Sequence, residues 1–218
     1  MSVNLNRSFS QMKKKLIKPS SFNSITSDQF RMIRTNIKFL PDENKNKVFL
    51  MTSPNNKEGK STTITNLAVS MAQQDEKILL IDANLKNPVI HHIFDIPSQI
   101  GLADILMNKK RFDEVVHSTE IGKLDVLVSG TTLSNPAELL GNETMTYLLN
   151  LVSRIYDVVL IDAPSILKTT ETHILANQCD GVILVLQKGK TKIDKVIEAK
   201  RTLELAHGNL VGSIINEK

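Results

Sequence analysis

Six short apolar runs, most of them separated by helical patterns, constrain this chain more than any other feature. They read VFLMTS (48–53), KILLID (77–82), LDVLVSG (124–130), DVVLID (157–162), DGVILVLQ (180–187) and NLVGSII (209–215). Each is nearly continuous in apolar residues, the pattern of strands covered on both faces. Between them, Lys60 to Gln73 turns Ile64, Leu67, Ala68 and Met71 inward. PAELLGNETMTYLLNLVSRI (136–155) reads as one long helix and KIDKVIEAKRTLELA (192–206) as another. Such alternation predicts an α/β fold, a mostly parallel sheet with helices on both faces. The 218 residues suffice for one such domain, and no internal repeat divides them.

Ahead of the first strand the pattern changes twice. Residues 1–25 show no period and read as a flexible basic arm, with Arg7, Lys13, Lys14, Lys15 and Lys18 supplying much of the net charge of +4. From Ser27, SDQFRMIRTNIKFL sets Phe30, Ile33, Ile37 and Leu40 on one helical face, with Ser27 as its N-cap. PDENKNK (41–47) then breaks to solvent, so residues 26–218 read as a single domain that opens with a helix over 26–40. A basic arm suits an anionic surface, but a chain with no Trp and two Tyr has little on which bases could stack. Nucleic acid is therefore not expected as a partner. No apolar run approaches the roughly 18 residues of a membrane span, and the polar N-terminus lacks a signal peptide's apolar segment, so the expected compartment is the cytoplasm. The single Cys179 excludes an internal disulfide and a cysteine metal cluster. Adjacent His91 and His92 read as a loop pair, poorly spaced to share a metal.

The chemistry concentrates where the first strand meets the first sheet helix. TSPNNKEGKSTT (52–63) ends in Gly59-Lys60-Ser61, the second half of a phosphate-binding signature. In such a loop, backbone N–H groups and the helix N-terminus face phosphate oxygens, the lysine reaches the β and γ phosphates, and the hydroxyl binds Mg²⁺. Two further strands end in aspartate, at Asp82 and Asp162. A carboxylate at a strand's carboxyl end, beside a phosphate loop, suits Mg²⁺ or its water shell. With Ser61, Asp82 and Asp162 delivered to one sheet edge, the sequence predicts a Mg-nucleotide site.

Those residues, with SDQFRMIRTNI, KILLIDANLKNP, LDVLVSGTTLSNPAELL and YDVVLIDAPS, resemble the bacterial tyrosine kinases (BY-kinases) of the capsular and exopolysaccharide co-polymerase type. The likeness runs from about Ser27 to Asn216 and is to the free-standing cytoplasmic form of Gram-positive bacteria, within the phosphate-loop ATPases of the Par/Min type. It implies an ATP-dependent protein-tyrosine kinase. Asn56, Lys57, Glu58, Gly59, Lys60, Ser61, Thr62 and Asn216 would hold ATP, with Asn216 at the adenine. Ser61, Asp82, Asp162 and Asn84 would meet Mg²⁺, and Lys60, Asp82 and Asp162 would be catalytic. Asp28, Arg31 and Arg34 match the spacing of a Glu-x-x-Arg-x-x-Arg helix that builds a ring of subunits. The resemblance further implies tyrosine-containing protein substrates and a separate membrane protein whose cytoplasmic tail activates the kinase at the membrane's inner face.

Four departures qualify it. Lys57 stands where the family has glycine, which costs on the order of 1 kcal/mol if that backbone needs φ > 0. Asp82-Ala83-Asn84-Leu85-Lys86 replaces Asp-x-Asp-x-Arg, so one negative charge and one bidentate fork are missing. Asp162-Ala163-Pro164-Ser165 replaces Asp-Thr-Pro-Pro, and no tyrosine cluster follows Asn216. Of the two tyrosines, Tyr147 is expected exposed and Tyr156 packed, and neither reads as a flexible acceptor. The alternative these departures favour is a nucleotide-binding homologue with weakened transfer, serving as a regulatory ring subunit. A partition-type ATPase is disfavoured because its signature lysine would fall at Asn55.

Overall fold

The computed structural model describes residues 25–40 and 48–217. The basic arm and the PDENKNK break lie outside them, apart from Ile25. In chain order, α1 (Ile25–Lys38) precedes β1 (Val48–Thr52), α2 (Lys60–Ala72) and β2 (Ile78–Asp82). Three short helices follow, α3 (Ile90–Phe94), α4 (Leu102–Leu106) and α5 (Phe112–Val115), then β3 (His117–Ser118) and β4 (Leu124–Leu127). The last part holds α6 (Ala137–Leu140), α7 (Glu143–Val152), β5 (Val158–Asp162), α8 (Glu171–Asn177), β6 (Gly181–Gln187), α9 (Ile193–Leu205) and β7 (Leu210–Asn216).

The seven strands form one sheet in the order β3-β4-β2-β5-β1-β6-β7. All pairs are parallel except β3 with β4, an antiparallel edge. Adjacent side chains on a strand point to opposite faces, so a strand covered on both sides must be apolar at every position. Along β1, Val48 and Leu50 join a core with α7, α8 and α9, whereas Phe49 and Met51 join a second core with α1, α2 and α3. β5 divides in the same way, Val159 and Ile161 from Val158 and Leu160. From β1 the chain moves to β2, beyond β5, and later returns to the opposite side through β6 and β7. The loops after β1, β2 and β5 therefore meet at the carboxyl edge where this class of sheet binds ligands.

Three local expectations change. Ser27 lies inside α1, buried, and so is not its N-cap. The helix expected over 136–155 is two: α6 stops at Gly141, and the Asn142 side chain accepts the Met145 N–H at 3.0 Å to start α7. An internal N-cap residue outcompeted the continuous apolar period. His91 and His92 sit on α3, with ring centroids 3.8 Å apart, and so are not in a loop.

Candidate active site

Between β1 and α2 the chain makes a tight arch. Gly59 takes φ 94°, and a Cβ there would stand 2.1 Å from Asn216 Nδ2, so glycine is required twice over. Lys57 takes φ 62°, the left-handed region, at the position where the resembled family carries glycine. Its carbonyl accepts from Lys190 Nζ at 3.1 Å. Lys57→Gly should relieve the backbone by up to about 1 kcal/mol after the glycine's own entropy is subtracted. Thermal unfolding of the nucleotide-free protein should then show a Tm roughly 2–4 °C higher. A lower Tm would mean that the lysine side chain contributes more than its backbone costs.

The arch is braced from within. Buried Glu58 accepts the Asn55 N–H through Oε2 at 2.9 Å and the Thr191 hydroxyl through Oε1 at 2.6 Å, tying the loop to the β6–α9 connection. Asn216 Nδ2 donates to the Glu58 carbonyl at 3.1 Å. No side chain caps α2 and its first turn holds no acid. Its N-terminal N–H groups and positive dipole end thus form a ready anion site. Ser61 and Thr62 open the helix, both half-buried. Lys60 is buried beside them, and its Nζ bonds Ser165 Oγ at 3.3 Å. Ser165 in turn donates to Asn56 Oδ1 at 2.7 Å. Burial pulls the Lys60 pKa below the ordinary lysine value, while the charges of Asp162 and Glu58 oppose that drop.

Asp82 and Asp162 are register partners at the ends of β2 and β5, and both are buried. Asp82 closes the loop after β2: Oδ1 accepts the Asn84 N–H at 3.1 Å, and Oδ2 accepts Val89 and Ile90, each at 3.0 Å. Asp162 is different, because neither of its oxygens has a hydrogen-bond partner of ordinary geometry. Burial raises both acids above the normal carboxylate range, and Asp162 pushes Asp82 further up. The backbone donors hold Asp82 down, and Lys60 and the Ser61 hydroxyl hold Asp162 down. A buried carboxylate without a well-aligned donor, next to a second carboxylate and a serine hydroxyl, fits a divalent cation that keeps most of its waters. Bound there, Mg²⁺ would neutralise phosphate charge; Asp162 and Ser61 are the groups placed to hold it.

The other expected residues divide. Asn84 uses its side-chain oxygen on the Asn87 N–H at 3.2 Å, so it shapes the loop after β2. Lys86 forms an ion pair at 2.6 Å with buried Glu171 of α8. Arg31 pairs with Asp28 at 2.8 Å, and Arg34 donates to the Ser70 carbonyl of α2 at 2.8 Å, which docks α1 on its own chain. Tyr147 is exposed on α7, whereas Tyr156 is buried and donates to Asp125 Oδ2 at 2.7 Å. Three contributors went unread in the sequence, Thr191, Lys190 and Ser165; only the unusual serine in DAPS marked the last.

Comparison with known proteins gives the family and the fold. An AAA domain family model matches residues 50–210. The tyrosine-protein kinase YwqD of Bacillus subtilis is 39% identical over 218 residues, covering 100% of this chain and 92% of that protein. The chain belongs to the bacterial tyrosine-kinase family. The solved chimeric protein CapA2B2 superposes on this tyrosine-kinase chain with a TM-score of 0.89 at 33% identity, over 94% of this chain and 90% of that one. The septum site-determining protein MinD of Pyrococcus horikoshii, solved with Mg-ADP, shares the fold at a TM-score of 0.67 and 19% identity, over 78% and 70% of the two chains. No helix among the described residues is long and apolar enough to cross a membrane.

Proposed function

We propose that this chain transfers the γ-phosphoryl group of Mg-ATP to tyrosine hydroxyls of proteins that act in capsule or exopolysaccharide assembly. The observation that carries the reading is the buried constellation of Lys60, Asp82 and Asp162 around an uncapped helix N-terminus. In the transfer the bond from the γ-phosphorus to the ADP oxygen breaks and a bond to the tyrosine oxygen forms. Lys60 and the α2 N–H groups carry the phosphate charge through that change, so positioning supplies most of the catalysis. The tyrosine proton goes to Asp82, whose Oδ2 is filled by two N–H donors while Oδ1 keeps a free lone pair. Asn216, packed on Gly59, is the residue proposed at the adenine.

Assembly and activation rest on the family likeness. Asp28, Arg31 and Arg34 are the proposed ring-forming residues on α1, and a membrane protein's cytoplasmic tail is the proposed activator, which would bring the kinase to the inner face of the membrane. In such an assembly the tyrosines would come from other proteins, since neither Tyr147 nor Tyr156 reads as a flexible acceptor, and residues 1–25 would be a separate arm beside the kinase domain.

Phosphotyrosine formation on a tyrosine-rich peptide with Mg-ATP tests the proposal. Transfer is expected from the unmodified chain and should fall on the order of 10²–10³-fold in Lys60→Ala. The Asn84 side chain, engaged with Asn87, favours a second reading in which transfer is weakened. Asn84→Asp keeps that acceptor and restores a charge, so under the second reading it should raise transfer. If neither form transfers, with the activator's tail present, the kinase proposal fails.

A further inference from the structure

We propose that Ser165 is a positioning residue for nucleotide binding and transfer, seating the Lys60 ammonium in the phosphate loop; this rests on Lys60 being the phosphate lysine, as above. Lys60 is buried, and Ser165 Oγ is its one hydrogen-bond acceptor among the described residues. The charges of Asp162 and Glu58 favour its ionised form and oppose the effect of burial. An ammonium has three donors to place, and a desolvated one gains most from each that is satisfied. Ser165 therefore fixes one donor direction and leaves the other two for phosphate oxygens.

The hydroxyl's own direction is also set. Ser165 is fully buried, and its single proton goes to Asn56 Oδ1 at 2.7 Å, the shorter of its two contacts. Its lone pairs are thereby left for Lys60. Asn56 belongs to the same arch as Lys60, so the chain Asn56–Ser165–Lys60 spans the phosphate loop through a residue of the β5–α8 loop. That residue is held firmly. The Pro164 carbonyl accepts the Thr52 hydroxyl at 2.6 Å and the Thr172 hydroxyl at 2.9 Å, and the Ile166 N–H donates to the Ser53 carbonyl at 3.0 Å. Three bonds on the residues flanking one buried hydroxyl describe a fixed support for the lysine. A proline at this position, as in the resembled motif, offers no hydroxyl, so the support belongs to this chain's own sequence.

Titrating a fluorescent ATP analogue into the full chain with Mg²⁺, and measuring transfer kinetics beside it, tests the assignment. Ser165→Ala should weaken binding about tenfold, the effect of one hydrogen bond to a charged group. Ser165→Thr, which keeps the hydroxyl, should stay within about threefold of the unmodified chain on the same scale. Asn56→Ala should weaken binding by a smaller factor, and the double variant should bind no worse than Ser165→Ala alone, because the two act in series. Additive losses, a Ser165→Ala affinity within twofold of the unmodified chain, or failure of threonine to restore binding would each overturn the inference. Should Ser165→Ala not fold, Asn56→Ala against Ser165→Thr decides it: weakening by the first with retention by the second supports the chain, and the reverse rejects it. If the unmodified protein binds no nucleotide, it is the nucleotide-site reading that fails, and with it this inference; binding without tyrosine transfer would leave this inference standing and reject the kinase.

Discussion

Asp162→Asn is expected to weaken transfer severely and, in the nucleotide-free protein at pH 8, to raise the melting temperature. The loss follows from removing a buried carboxylate whose oxygens have no hydrogen-bond partner of ordinary geometry. Without its charge the phosphate site cannot hold the cation, and transfer should fall on the order of 10²–10³-fold, as when a single preorganised charge-stabilising group is removed. The gain follows from the same fact. An ionised carboxylate fully out of water and beside Asp82, with Lys60 and Ser61 offsetting only part of its burial, opposes folding until a cation arrives.

Its pH dependence has a definite sign. Burial raises the Asp162 pKa from 3.8 to about 6 in the folded chain, with Lys60 and Ser61 opposing. Between those values the folded state binds more protons than the unfolded one, so stability falls as pH rises through that window. The asparagine variant lacks this loss. Its advantage should be near zero at pH 4, grow between pH 4 and 6, and reach about 1–2 kcal/mol by pH 8, or roughly 3–6 °C in Tm. Saturating Mg-ATP should reverse the order, because only the unmodified chain gains from the ligand. A variant that melts lower than the unmodified chain at pH 8 without nucleotide would show that Asp162 is needed to hold Lys60 in place.

What was legible beforehand follows the range of the forces. The sheet and α2 were readable because burial on both faces demands apolar residues at every strand position, and Leu79, Leu80 and Ile81 advertise that without reference to anything distant. Lys60, Ser61, Asp82 and Asp162 were readable because strand ends collect at one edge in any parallel sheet. The break at Gly141–Asn142 was present in the sequence, but the apolar period on either side concealed the cap. Ser165, Thr191 and Lys190 were not readable, since their roles arise from contacts 105, 133 and 133 residues away in sequence. The three residues Asp28, Arg31 and Arg34 illustrate the opposite limit. Their spacing suggests an interface, while Arg34 and Arg31 already have partners inside the chain, and only an assembly experiment distinguishes the two uses.

Asp82→Ala should act on stability in the opposite sense to Asp162→Asn, although both remove an acid from the same edge. Asp82 is the acceptor for three backbone N–H groups, those of Asn84, Val89 and Ile90. They lie in the loop leading to α3 and at its first residue, and that of Ile90 is fully buried. Each unpartnered N–H costs about 1–3 kcal/mol, so the alanine variant should lose roughly 3–5 kcal/mol even after the relief of one buried charge is counted. That corresponds to a Tm lower by about 8–15 °C. Because burial, and the Asp162 charge after it, raise the Asp82 pKa from 3.8 to about 7, the unmodified chain loses stability as pH rises between those values. The deficit of the alanine variant should therefore be largest near pH 4, shrink as pH rises towards 7, and stay level above it. Hydrogen exchange at the Val89 and Ile90 amides localises the effect: both should lose protection in Asp82→Ala and keep it in Asp162→Asn. Equal protection in the two variants, or a Tm for Asp82→Ala at or above that of the unmodified chain, would mean that Asp82 serves the chemistry alone and does not build the loop that surrounds it.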